Sequence, residues 1–189
     1  RIGSTGYVTN AVNGLGNGLH QAYQYYRLNS GYAGSNATGA QSMFGVGVTL
    51  VGSTVYEFEM LVALSKSTGT TSHSIGLGFG GTATLNNIGY SIVMKQNTGA
   101  TTNNLGDSDL SFVGTASNTT QTVSPITAAA YALVFLIKGT VSVNAGGTFI
   151  PQYTLSAAPG GAYTTQAGSY IKISPLGASG ANTSIGSWA

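Results

Sequence analysis

From about residue 21 onward, apolar and polar side chains alternate with period two along this chain. The clearest run is Val55–Ser65. Tyr56, Phe58, Met60, Val62 and Leu64 fall on one face, and Val55, Glu57, Glu59, Leu61 and Ala63 on the other. The first face is wholly apolar, while the second begins polar and ends apolar, which predicts a half-buried strand. Ser42–Val51 sets Phe44, Val46, Val48 and Leu50 on one face, with glycines opposite. Ser72–Gly80 aligns Ile75, Leu77 and Phe79, and Ile88–Lys95 aligns Ile88, Tyr90, Ile92 and Met94. Gln21–Leu28 reads as an aromatic-rich strand. Asp109–Thr115, Thr119–Val123, Tyr131–Lys138, Thr140–Asn144, Thr148–Leu155 and Ser169–Ser174 complete the set.

Turn-forming residues separate these runs at Lys66–Thr71, Gly80–Gly81, Asn97–Asn104, Asn144–Gly147 and Pro159–Gly161. Thr127–Leu133 has the length for one turn of helix, but its β-branched and aromatic neighbours favour strand. About ten short strands at such spacing predict an all-β fold, an antiparallel β-sandwich of jelly-roll-like type. Residues 1–20 contain Asn13-Gly14-Leu15-Gly16-Asn17-Gly18, too much Gly for a helix and too little bulk for a core strand. They read as an N-terminal arm or linker, and residues 21–189 as the head domain. A flat, uncharged surface rich in Ser and Thr invites edge pairing. Subunits that cover one another remove that liability, so an oligomer is expected.

Charge changes the picture most. Lys, Arg, Asp and Glu make up 5% of the 189 residues, against about 25% in an ordinary soluble domain. Acid–base catalysis, metal binding and phosphate binding draw on those side chains, so the composition favours a durable structural part or a carbohydrate-facing surface. Hydrophobic content is ordinary at 42%, which argues against disorder. The basic residues Arg1, Arg27, Lys66, Lys95, Lys138 and Lys172 are scattered, and nucleic acid is not expected as a partner. With no Cys, disulfides and thiolate metal sites are excluded, which fits assembly in a reducing cytosol. No apolar run approaches about 18 residues, so membrane insertion is not expected.

Glu57 and Glu59 are the only glutamates, and their Cβ atoms fall about 7 Å apart on one strand face. Paired carboxylates of this kind serve glycan-cleaving chemistry when a cleft brings substrate to them. The competing reading, which we prefer, is an exposed face, or ion pairs with Lys or Arg on neighbouring strands or subunits. Asp107-Ser108-Asp109 has the spacing of a cation-binding turn, but Leu110-Ser111-Phe112 follows as strand, so a turn cap is expected. His20 and His73 lack a third metal ligand. Gly45-Val46-Gly47 and Gly76-Leu77-Gly78-Phe79-Gly80-Gly81 lack the lysine and the following helix of nucleotide loops. No Gly-x-Ser-x-Gly elbow occurs with a suitable His and acid. No catalytic, cofactor-binding or metal-binding residue is therefore assigned. Tyr23, Tyr25, Tyr26 and Tyr32 form the densest aromatic cluster. It suits sugar stacking, or packing in a core or between subunits. Trp188 reads as a plug for the C-terminal tail.

Several segments together resemble the C-terminal region of virion structural proteins from tailed bacteriophages, marine and cyanobacterial ones in particular. They are Tyr26-Arg27-Leu28-Asn29-Ser30, Phe44-Gly45-Val46-Gly47-Val48-Thr49-Leu50, Tyr56-Glu57-Phe58-Glu59 and Phe79-Gly80-Gly81-Thr82-Ala83-Thr84. Pro151-Gln152-Tyr153, Ala157-Ala158-Pro159-Gly160-Gly161 and Gly177-Ala178-Ser179-Gly180-Ala181-Asn182 continue the set. The likeness covers most of residues 25–189 and carries no catalytic motif. It implies a non-enzymatic virion protein on the particle exterior, assembled in the host cytoplasm as a homotrimer. A fibre head of the tail-fibre type would contact the host surface, with a host-surface glycan as partner. The N-terminal arm would join it to other virion proteins. The alternative is a capsid decoration protein on the shell, and the third reading is a fibre-borne polysaccharide-degrading enzyme. Asn97–Asn104, Lys66–Thr71 and Gly160–Gln166 are the loops expected to reach outward.

Overall fold

The structure is a computed structural model that describes residues 24–97, 108–115, 121–180, 182–183 and 187. The arm assigned to residues 1–20, together with His20, Tyr23, Asp107 and Trp188, lies outside them. Among the described residues there are thirteen strands and no helix. The first five are β1 (Gln24–Arg27), β2 (Tyr32–Ala33), β3 (Gly39–Ser42), β4 (Val48–Leu50) and β5 (Thr54–Lys66). Next come β6 (His73–Gly80), β7 (Thr84–Asn97), β8 (Ser108–Thr115) and β9 (Gln121–Ile126). Then follow β10 (Tyr131–Ala145), β11 (Gly147–Leu155), β12 (Thr164–Thr165) and β13 (Tyr170–Ala178).

The larger sheet has the order β1-β13-β5-β10-β7-β8, with β12 continuing the line of β13 along β5 and β2 paired to β12. The smaller has the order β3-β11-β6-β9, with β4 also on β11. Every pairing is antiparallel. The all-β, sandwich-like class expected from the alternation is the class observed.

The period-two pattern decides which side chains meet. On β5, Tyr56, Phe58, Met60, Val62 and Leu64 are all buried. The matching rows on β10 and β7 are Leu133, Phe135 and Ile137, and Ile88, Tyr90 and Ile92. The smaller sheet answers with Ile75, Leu77, Phe79, Phe149, Tyr153 and Leu155. Rings from the two sheets interlock at the centre. Phe58 meets Phe79 at 5.2 Å and Phe149 at 6.0 Å, and Phe79 meets Tyr90 edge-on at 5.3 Å and stacks on Phe149 at 4.6 Å. These are the offset and edge geometries that ring quadrupoles favour.

Two differences from the sequence reading have physical causes. Tyr131–Lys138 and Thr140–Asn144 are one strand, β10, and Gly139 does not break it. Gly139 lies between Phe58 and Tyr90 in the register. A Cβ there would fall 2.4 Å from the Gly89 carbonyl oxygen and 2.5 Å from the Tyr90 Cβ. The glycine marks close packing, which its sequence does not distinguish from a turn.

Conversely, Ser42–Val51 is not one strand. β3 and β4 lie along β11 in sequence, and residues 43–47 leave the ladder between them. The Ser42 hydroxyl accepts the Gly45 amide at 2.9 Å, and Gly45 takes φ of 71°, a left-handed conformation that glycine adopts without strain. Pro151 of β11 lies opposite this excursion and has no N–H to donate there, so the missing ladder bond costs nothing. Its carbonyl still accepts Met43 N–H at 3.0 Å.

Candidate functional site

Two places on the molecule gather chemistry. The first is a shallow groove on the outer face of the larger sheet, with a volume of about 440 Å³. It is lined by Glu57, Glu59, Lys138, Thr140, Lys172 and Ser174, with Gly139 between them. The register puts Lys138 and Lys172 on either side of Glu59. Lys138 Nζ lies 2.9 Å from Glu59 Oε2, and Lys172 Nζ lies 3.2 Å from Oε1. The Tyr170 hydroxyl donates to Oε1 at 2.8 Å. Lys138, then Tyr170 and Lys172, hold the Glu59 carboxyl at about 2, against an ordinary 4.5. Glu59 therefore has no proton to give near neutral pH and is unsuited to be the acid of a two-carboxylate mechanism. Glu57 accepts the Ser174 hydroxyl at 3.1 Å. The ion-pair reading weighed against a catalytic pair thus describes Glu59.

The second place is a cleft of about 360 Å³ where the sandwich is open along one side. One wall is β1 with β13: Gln24, Tyr25, Tyr26, Ile171 and Ile173. The other is the excursion and the strand after it, Phe44 to Thr49, with Pro151. Both walls follow from local sequence. The break opposite Pro151 carries Phe44 inward, where it is buried and meets Tyr26 edge-on at 6.1 Å. Gly47 has its space filled by the Ile150 side chain, 2.6 Å from where a Cβ would be. Tyr26 stays 40% exposed, Tyr25 51% and Val46 43%. Tyr25 stacks on Tyr170 at 5.5 Å, which joins the rim of the cleft to the charged groove.

The remaining candidates are internal or lie outside the described side chains. His73 is buried, with Nδ1 2.7 Å from the Thr71 carbonyl oxygen and Nε2 2.8 Å from the Tyr163 hydroxyl. A carbonyl only accepts, so Nδ1 carries a proton and donates to Thr71. Both ring nitrogens are thereby occupied by the fold. Asp109 belongs to β8, whose side chains are not described. Among the described residues no group of three His, Asp or Glu side chains is placed to hold a metal.

Of the loops expected to reach outward, residues 66–71 and 160–166 pack on each other. Gly161 has the Thr68 hydroxyl and carbonyl at 2.2 and 2.4 Å from where a Cβ would stand. The Gly160 amide donates to Asn36 Oδ1 at 2.9 Å. Most of Asn97–Asn104 lies outside the described residues. Lys66 is not in a loop. It ends β5, buried, with Nζ donating to the carbonyls of Gly69 at 2.6 Å, Ala128 at 2.5 Å, Ala129 at 3.2 Å and Thr68 at 3.4 Å.

Reading the sequence singled out Tyr25 and Tyr26 but missed Phe44, Val46 and Thr49 as their neighbours. The available signal is the Gly45-Val46-Gly47 spacing, which in the sequence reads as strand and turn glycines. No protein-family model matches the chain, and no curated protein matches its sequence.

Proposed function

We propose that this chain is a non-enzymatic exterior protein of a bacteriophage particle. It would be a fibre head that meets the host surface through many weak contacts, multiplied by repetition on the particle. The observation that carries the reading is how the few charged groups are used. Glu59, Lys138 and Lys172 bind one another, and Lys66 and His73 are absorbed into the fold. By contrast, Tyr25, Tyr26 and Val46 stand exposed beside an open cleft. Such a surface suits contact more than turnover.

The finer fold reading is a jelly roll, supported by a chain that passes repeatedly from one sheet to the other. Among the described strands the chain changes sheet between β2 and β3, β4 and β5, β5 and β6, β6 and β7, β8 and β9, β9 and β10, β10 and β11, and β11 and β12. The trimer reading is supported by the outer face of the larger sheet. Val93, Val134 and Leu136 are exposed there in adjacent register positions of β7 and β10. Apolar side chains gathered on one sheet face suit a second copy of the chain.

The test is adsorption competition. Host cells preincubated with the purified protein should adsorb fewer particles, in proportion to occupancy. Unchanged adsorption at saturating protein would refute the host-contact role. Capsule or glycan hydrolysis that Glu57→Gln abolishes would refute the non-enzymatic one.

A further inference from the structure

The cleft between β1 and β4 has a composition that selects its ligand. Among the described residues its lining holds no charged side chain, although the neighbouring groove holds two carboxylates and two ammonium groups. Phe44, Val46, Ile171 and Pro151 supply apolar walls, and Tyr26 presents a ring with a polar tip at the mouth. Gln24 and Thr49 add amide and hydroxyl groups that both donate and accept. The volume of about 360 Å³ lies in the range of about 300–1,000 Å³ typical of small-ligand clefts.

We infer that this cleft is a binding site for an uncharged sugar residue of a surface glycan. The inference rests on the host-contact reading and deepens it by naming the site and the ligand class. A pyranose has apolar C–H faces and a rim of hydroxyls, which matches apolar walls with neutral polar groups at the edge. An anionic ligand would leave the cleft for Lys138 and Lys172. A nucleotide or phosphate would find no cation among the described residues of either wall. Tyr26 contributes area at little entropic cost, because its ring turns about two torsions and is already braced by Phe44.

Saturation-transfer NMR on the whole chain tests this with methyl glucoside, methyl galactoside and N-acetylglucosamine as neutral probes and glucuronate as the charged one. The expected result is transfer to C–H protons of at least one neutral probe. Tyr26→Ala should weaken binding about tenfold, near 1.4 kcal/mol, and Lys138→Ala should leave it unchanged. Val46→Glu tests the same wall from an exposed position that core packing does not need. It should also abolish transfer, so a misfolded Tyr26→Ala protein does not block the test.

No transfer to any neutral probe would overturn the inference. So would binding lost in Lys138→Ala and kept in Val46→Glu, which would move the ligand to the charged groove. A drop in oligomeric state with Val46→Glu would overturn it in favour of a subunit contact. Adsorption competition without sugar binding removes this inference and leaves the host-contact reading. Sugar binding without competition does the reverse.

Discussion

Lys66 shows at the residue scale how a nearly uncharged chain uses the charge it has. Burial pushes its ammonium below the ordinary 10.5, while backbone carbonyls around Nζ favour the charged form. The side chain bridges the turn after β5 to the segment before β10. Lys66→Met removes the donor and leaves buried carbonyls short of partners, so it should cost about 2–3 kcal/mol in urea unfolding. An unchanged midpoint would show that the carbonyls find water instead. Glu59 is the contrasting case, at the surface. Its folded value lies below its unfolded one, so its contribution is full above pH 4.5 and is lost as the pH falls toward 2. Lys138 is 62% exposed and water screens the pair. Glu59→Gln should therefore cost about 1 kcal/mol or less at neutral pH and flatten the acid side of the stability profile.

At the scale of elements, alternation identifies strands well and their continuity badly. β5, β6, β7 and β11 are legible because each has an uninterrupted apolar run on one face, such as Ile75, Leu77 and Phe79 on β6. Gly139 falls in the gap between two expected strands yet lies within one, whereas Gly45 falls within an expected strand yet turns out of the ladder. A glycine in a ladder under two aromatic rings and a glycine turning left-handed out of a ladder have the same letter. Only the partner strand tells them apart.

Gly139→Val tests the first reading, because the branched side chain would be forced onto Gly89 and Tyr90. We expect a loss of about 3 kcal/mol in equilibrium unfolding. A cost below about 0.5 kcal/mol would mean the strands separate easily at that point. The aromatic cleft was half legible for the same reason. The tyrosines of β1 stand out in the sequence, but their facing wall depends on the break opposite Pro151, a long-range register fact.

For the molecule as a whole, stability rests on an aromatic interior in which tyrosines are buried to their hydroxyls. Burial raises Tyr90 and Tyr153 from 10.0 to about 12, and Tyr163 upward as well. In the unfolded chain these phenols ionise near pH 10, so the unfolded state loses protons first. Their contribution is full below pH 10 and is lost as the pH rises through 12. The share of tyrosinate absorbance that belongs to Tyr90, Tyr153 and Tyr163 should therefore appear in one cooperative step with unfolding on the alkaline side, separate from that of the exposed rings such as Tyr25 and Tyr26. Loss of that step in Tyr90→Phe, Tyr153→Phe and Tyr163→Phe variants is expected, and ionisation of these three rings in a protein that stays folded would contradict their packing. The apolar positions on the outer face carry a separate expectation. Leu136→Glu should convert a trimer to monomers in sedimentation without lowering monomer stability, since the side chain points away from the core.

The account turns on where the protein sits. Imaging intact particles at subnanometre resolution, and fitting this two-sheet domain to the density, is the most direct measurement. The account predicts trimeric density of this shape at the distal end of a tail appendage, with the cleft between β1 and β4 facing outward. Density spread over the shell, or no such density on the particle, would contradict it.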